Sequence, residues 1–325
     1  MEILTQHLQA MADAVDFPLM DRWLEDHVDV PIVATAFYLF LVHVVRDSYM
    51  KGRPAYHLRG LNIMWNLFLS FFSFVGAYYC VPRLYEIVTA PVISGLEPSS
   101  LRYVANMTAA MRRNIVIPDD FREGVDAVGV RGSLDTSLCV YKDDVYRRNI
   151  SGLLCLAFMF SKIPEMFDTA FLVFQKKPVI FLHWYHHVTV MLYCWHAWIS
   201  PTSSGLWFVC MNFSVHAIMY FYYFIAACGY GKLVRPFAPL ITFLQIAQMV
   251  VGSAIAVYVY YMDQFGDGCD CRSSNAKLAL MMYISYFVLF SQFFRNRYIK
   301  KKPKPSVPST ISSAAPSLSA DKKTQ

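Results

Sequence analysis

Seven stretches of the chain are nearly unbroken apolar runs: residues 30–46, 61–82, 150–174, 179–199, 204–228, 236–262 and 276–294. Each has roughly the 17–25 residues that a helix needs to cross a bilayer. Periodicity alone does not separate a continuous apolar helix from a buried strand. Run length and the lack of ten-residue alternation favour helices over a transmembrane barrel. The pattern therefore predicts an all-α integral membrane protein with seven transmembrane helices. Composition agrees: 56% of residues are hydrophobic, 16% aromatic and only 16% charged, against roughly a quarter charged in soluble domains.

The runs divide the chain into an N-terminal tail, 1–29, a membrane domain, 30–298, holding one long loop at 83–149, and a C-terminal tail, 299–325. Short cytoplasmic loops are enriched in Lys and Arg. Arg46, Lys51, Arg53 and Arg59, then Lys176 and Lys177, Lys232 and Arg235, and finally Arg295, Arg297 and Lys300–Lys302 all fall on one side if the N-terminus is lumenal. The 83–149 loop carries nine Lys or Arg in 67 residues, and a loop that long escapes the rule. Residues 1–29 lack the basic flank and apolar core of a cleavable signal.

On this topology Cys139, Cys269 and Cys271 face the oxidising side, so one disulfide from Cys139 to Cys269 or Cys271 is allowed, as are free thiols. Asn106 and Asn149 begin glycosylation sequons on the same side. The last 26 residues, rich in Lys, Pro, Ser and Ala, predict a disordered cytosolic tail. It ends Lys322-Lys323-Thr324-Gln325, similar to the dilysine retrieval signal of endoplasmic reticulum membrane proteins.

Ionisable residues inside the runs change the picture, because each costs roughly 2.5–3.5 kcal/mol at a helix centre. The third run holds Lys162, Glu165 and Asp168, with Lys162 and Glu165 spaced to pair. His183, His186 and His187, at offsets 0, 3 and 4, share one face of the fourth. Asn212, His216, Tyr220 and Tyr223 lie in the fifth, and Gln245 and Gln248 in the sixth. At about 1.5 Å per residue from the cytosolic ends, Asp168, His186, Gln245, Glu165, His216 and Gln248 fall roughly 10–18 Å deep. Four helices thus place polar groups in one layer, which predicts an enclosed chamber opening to the cytosol. Neutral imidazole there can act as base, acid or nucleophile.

Four motifs occur in order: Lys162-Ile-Pro-Glu165-Met-Phe-Asp168-Thr169; Gln175 followed by His183-Trp184-Tyr185-His186-His187; Asn212-Phe-Ser-Val-His216 continuing to Tyr223; and Thr242-Phe-Leu-Gln245-Ile-Ala-Gln248. With weaker echoes at Lys51-Gly-Arg53-Pro54 and Asn66, the chain resembles the very-long-chain fatty acid elongases, membrane 3-ketoacyl-CoA synthases. The resemblance implies that spans two to seven form a barrel around an acyl tunnel. It also implies condensation of a long-chain acyl-CoA with malonyl-CoA, with no cofactor and no metal. Trp184 is similar to the saturated and monounsaturated subgroup.

The resemblance assigns chemistry to His186 as nucleophile, with His183, His187, His216, Lys162, Glu165, Asp168 and Asn212 in support. Substrate contact falls to Gln175, Tyr220, Tyr223, Gln245, Gln248, Lys51, Arg53 and Asn66. Its implied partners are acyl-CoA, malonyl-CoA, membrane lipid and the reductase and dehydratase of an elongation cycle; a homodimer is compatible with it and nucleic acid is not expected. Its implied location is the endoplasmic reticulum membrane. Other readings are a polyunsaturated acyl-CoA elongase, a di-iron desaturase or hydroxylase, and a seven-helix transporter or receptor. A di-iron site needs about eight clustered imidazoles, whereas four of the nine histidines here, His7, His27, His43 and His57, are scattered.

Overall fold

The structure, a computed structural model, describes residues 2–93, 108–116, 129–141, 149–200 and 202–300. Asn106, Lys322, Lys323 and nearly all of the C-terminal tail lie outside the described residues.

Helices dominate: α1 Glu2–Ala14, α2 Phe17–Asp26, α3 Asp29–Phe40, α4 Arg59–Thr89, α5 Ala109–Asn114, α6 Leu134–Cys139, α7 Asn149–Glu165, α8 Phe167–Phe174, α9 Phe181–Ile199, α10 Gly205–Ile225, α11 Gly231–Val234, α12 Ala238–Gln264 and α13 Ser273–Phe294. The described strands are a two-residue antiparallel pair, β1 Ile115–Val116 and β2 Gly129–Val130. The N-terminal tail holds α1 and α2, docked on α7 and α9. Trp198 Nε1 donates to Asp21 Oδ1 at 2.9 Å, and Trp195 Nε1 to the Leu24 carbonyl at 3.1 Å.

Among the described residues, five helical runs are long and apolar enough to cross a membrane: Asp29–Tyr49, Arg59–Thr89, Asn149–Phe174, Gly205–Gln264 and Ser273–Ile299. Two sequence runs, 204–228 and 236–262, merge into one of these because short helical turns, including α11, bridge them. Gly229 bends the chain there with φ +107°, a conformation that favours glycine. The run at 179–199 is helical as α9 but lies outside the five, since its histidines lower its hydropathy. Pro164 lies within the last turn of α7, which runs to Glu165, and α8 starts after a turn at Met166.

The long helices pack in a closed ring: α4 on α7, α7 on α9, α9 on α13, α13 on α12, α12 on α10, and α10 back on α4. Gly76 of α4 lies directly against the Phe213 ring, and Gly252 of α12 against the Tyr283 ring, so a Cβ at either position would collide. Helix α3 stands outside the ring and packs on α9.

The two ends of the ring are tied differently. At one end a disulfide joins Cys139 to Cys269, while Cys271 is free and buried. Thr202 bridges Cys271 and accepts from Asn275, and Arg113 pairs with Asp135 at 3.2 Å. At the other, basic end, Tyr56 N donates to the Phe174 carbonyl at 2.9 Å and Arg59 Nε to the Ala227 carbonyl at 2.9 Å.

Candidate functional site

Polar side chains on neighbouring helices of the ring converge. On α7, Lys162 Nζ lies 2.7 Å from Glu165 Oε1, the i, i+3 pairing expected of one helical face. Both side chains are buried, Ser161 Oγ donates to the same carboxylate oxygen at 2.7 Å, and Nζ sits 3.9 Å from the Phe158 ring centroid. Glu165 Oε2 has no partner among the described residues. Past the turn at Met166, Asp168 takes hydrogen-bond partners of its own. It accepts from Trp65 Nε1 of α4 at 2.6 Å and from Tyr220 Oη of α10 at 2.7 Å. Asp168 remains within electrostatic range of Glu165 and Lys162.

The three imidazoles of α9 form one surface, with ring centroids 4.7 Å apart for His183–His187 and 5.5 Å for His186–His187. Their environments differ. His183 Nε2 is 2.8 Å from Thr169 Oγ1, which is 2.7 Å from Tyr38 Oη. His186 rests against the Tyr286 ring of α13 at 5.1 Å, and Tyr286 Oη donates to its carbonyl at 3.3 Å. Among the described residues, no protein hydrogen bond occupies the ring nitrogens of His186 or His187, which leaves those rings open to a ligand.

On α10, Asn212 Nδ2 lies 3.2 Å from His216 Nε2, and Asn212 Oδ1 is buried without a partner among the described residues. When the amide donates, His216 keeps its proton on Nδ1, facing away from Asn212. Lys162 lies within electrostatic range of His186, His187 and His216, and His216 within range of His186. Gln248 of α12 is buried, whereas Gln245 donates to Met219 Sδ at 3.3 Å. Thus α7, α9 and α10 bring one cation, one carboxylate and four imidazoles together.

The remaining expected site residues have partners or exposure of their own. Asn66 is bonded within α4, to the Asn62 carbonyl at 2.6 Å and Oδ1 at 3.0 Å. Tyr223, 45% exposed, packs beside Tyr220 with ring centroids 6.4 Å apart. Lys51 and Arg53 are exposed at the basic end, with Gln175 half-buried nearby. Lys176 Nζ reaches the Lys51 carbonyl there at 3.4 Å, and Arg53 stacks 3.9 Å over Tyr49. Asn149 is exposed at the start of α7 with φ +68°. Among the described residues, no three His, Cys, Asp or Glu side chains are grouped to hold a metal ion.

Sequence reasoning missed Tyr38, Trp65 and Tyr286. A usable signal existed. A Trp or Tyr deep in an apolar run carries a donor that must find an acceptor, and Asp168 and Thr169 are such acceptors.

Residues 23–306 match the ELO: GNS1/SUR4 family. The chain is 48% identical to "Fatty acid elongase 3" of Trypanosoma cruzi over 85% of its length and 86% of the relative's. It is 46% identical to "Fatty acid elongase 3" of Trypanosoma brucei brucei, covering 88% of the chain and 89% of the relative. Identity to "Very long chain fatty acid elongase 4" of Trypanosoma cruzi is 40%, over 87% and 84% respectively.

Proposed function

Because the chain belongs to the ELO: GNS1/SUR4 family, we propose that it catalyses the carbon–carbon bond-forming step of fatty acid elongation. The reaction condenses a saturated or monounsaturated long-chain acyl-CoA with malonyl-CoA, yielding 3-ketoacyl-CoA, carbon dioxide and CoA. The observation that carries this reading is the pair of uncommitted imidazoles, His186 and His187, beside a buried Lys162–Glu165 pair and the His216–Asn212 pair.

In this reading α10 and α12 cross the membrane separately and α9 crosses as well, giving seven spans. The six-helix ring encloses the acyl chain. The N-terminus is lumenal and the C-terminus cytosolic, in the endoplasmic reticulum membrane, with the exposed basic residues Lys51, Arg53 and Lys176 at the cytosolic rim receiving CoA phosphates. The reductase and dehydratase of the cycle act on the product.

Neutral His186 attacks the thioester carbonyl. The carbonyl pair moves to oxygen, then returns as the C–S bond breaks, and the thiolate takes the imidazole proton and departs as CoA. The His216 Nδ1–H, Gln248 and the Lys162 ammonium are the donors available to the oxyanion. Malonyl-CoA next loses carbon dioxide, the electron pair of that C–C bond attacks the acyl carbon, and the departing imidazolate takes one proton from solvent, which restores neutral His186. Both substrates bring their own activated carbon, so the protein supplies position and charge without a cofactor.

The test is incorporation of radiolabelled malonyl-CoA by microsomes expressing the chain, across acyl-CoAs of graded length and unsaturation. Labelled 3-ketoacyl product with saturated and monounsaturated primers supports the reading. Product with polyunsaturated primers alone rejects the substrate class, and none with any primer rejects the activity.

A further inference from the structure

We propose that Tyr38, on helix α3 outside the six-helix ring, is a positioning residue that sets the tautomer of His183 through Thr169. Tyr38 is 3% exposed and Thr169 is fully buried. Oxygen–oxygen and oxygen–nitrogen distances of 2.7 and 2.8 Å join Tyr38, Thr169 and His183 in a line. Among the described residues Thr169 is the hydrogen-bond partner of Tyr38 Oη.

One threonine hydroxyl has one proton to give. If His183 Nε2 carried hydrogen and donated it to Thr169, then either Thr169 would donate to Tyr38 and strand the phenol proton, or Thr169 would accept from both and strand its own. Either way one buried proton has no acceptor within the relay, the costly outcome for a polar group withdrawn from water. The arrangement that uses every proton runs the other way. Tyr38 donates to Thr169, Thr169 donates to His183 Nε2, and His183 keeps its proton on Nδ1. The imidazole is thereby fixed in both protonation and rotation.

His183 in turn packs edge-on against His187, whose ring also lies 5.9 Å from the Tyr38 ring and 5.5 Å from His186. Tyr38 and Val42 share an apolar cluster with Met166 and Met191, which holds α3 against the turn in the third run and against α9. A helix outside the ring thus reaches the histidine surface through one phenol.

The effect on rate rests on the condensation reading; the tautomer does not. Nitrogen-15 NMR of the full chain in detergent, with ring-labelled histidine and His183 assigned by its loss in His183→Gln, should show Nδ1 protonated and Nε2 bare. In Tyr38→Phe, where Thr169 is free to donate or accept, the signal should shift toward a mixture of tautomers. A His183 protonated at Nε2 in the wild type, or an unchanged signal in Tyr38→Phe, overturns the proposal.

In condensation assays Tyr38→Phe should lower kcat roughly tenfold with the KM for acyl-CoA unchanged. Adding it to Thr169→Val should lower kcat no further, because the two residues act as one unit. Wild-type kcat in Tyr38→Phe, or additive losses, also overturn it. A wild-type protein with no condensation at all contradicts the functional reading, and the NMR result then decides the relay on its own.

Discussion

Lys162 Nζ stands 2.7 Å from Glu165 Oε1 with the two side chains only 2% and 4% exposed. Each charge is tolerable there because of the other. Lys162→Met strands a buried carboxylate and should cost about 3–5 kcal/mol, read as a fall in the thermal midpoint in detergent. Lys162→Met with Glu165→Leu should recover most of that stability while leaving condensation abolished. A double variant as unstable as the single would show that the pair does not act as a unit.

The disulfide makes a countable prediction. Cysteines number eight, of which only Cys139 and Cys269 are joined. Maleimide labelling of denatured, unreduced protein should add six groups by mass, rising to eight after reduction. Loss of a crosslink spanning 130 residues should cost about 2–5 kcal/mol, so Cys139→Ser should melt earlier. Cys271→Ser should leave the crosslink intact.

Next to that bond, Asp270 accepts from Thr108 Oγ1 and Tyr141 N, each at 3.0 Å. Burial nevertheless raises its pKa above the usual carboxylate value, outweighing those two hydrogen bonds. A raised folded-state pKa means the folded protein binds this proton more tightly than the unfolded chain does. The group's favourable contribution is therefore complete below the unfolded pKa, roughly 3.9, and is lost as pH rises through the folded value. Asp270→Asn should raise the thermal midpoint at pH 7, with the gain disappearing toward pH 4. A variant less stable than wild type at pH 7 would contradict this.

Much of this architecture is legible in the sequence because bilayer thickness imposes a run length on every crossing. Counting residues from the run ends puts Glu165, His186 and His216 at similar depth, and Lys162 does lie within electrostatic range of His186 and His216. Asp168, past the turn at Met166, joins the same neighbourhood through Tyr220, whose ring lies 5.4 Å from that of His216. That carboxylate accepts from Trp65 and Tyr220 and so joins α8 to α4 and α10. Tyr38, by contrast, is invisible. In an apolar run a tyrosine reads as one more large side chain, and only the packing of α3 on α9 reveals what its hydroxyl meets. The pairing of β1 with β2 is equally hidden, because two-residue strands carry no periodicity.

The most direct test of the account is the intact mass of purified protein incubated with a long-chain acyl-CoA alone. An increase by one acyl group, matched by one equivalent of free CoA, mapped to the peptide containing His186 and absent from His186→Ala, is the predicted result. An unchanged mass with no CoA released until malonyl-CoA is added would contradict it.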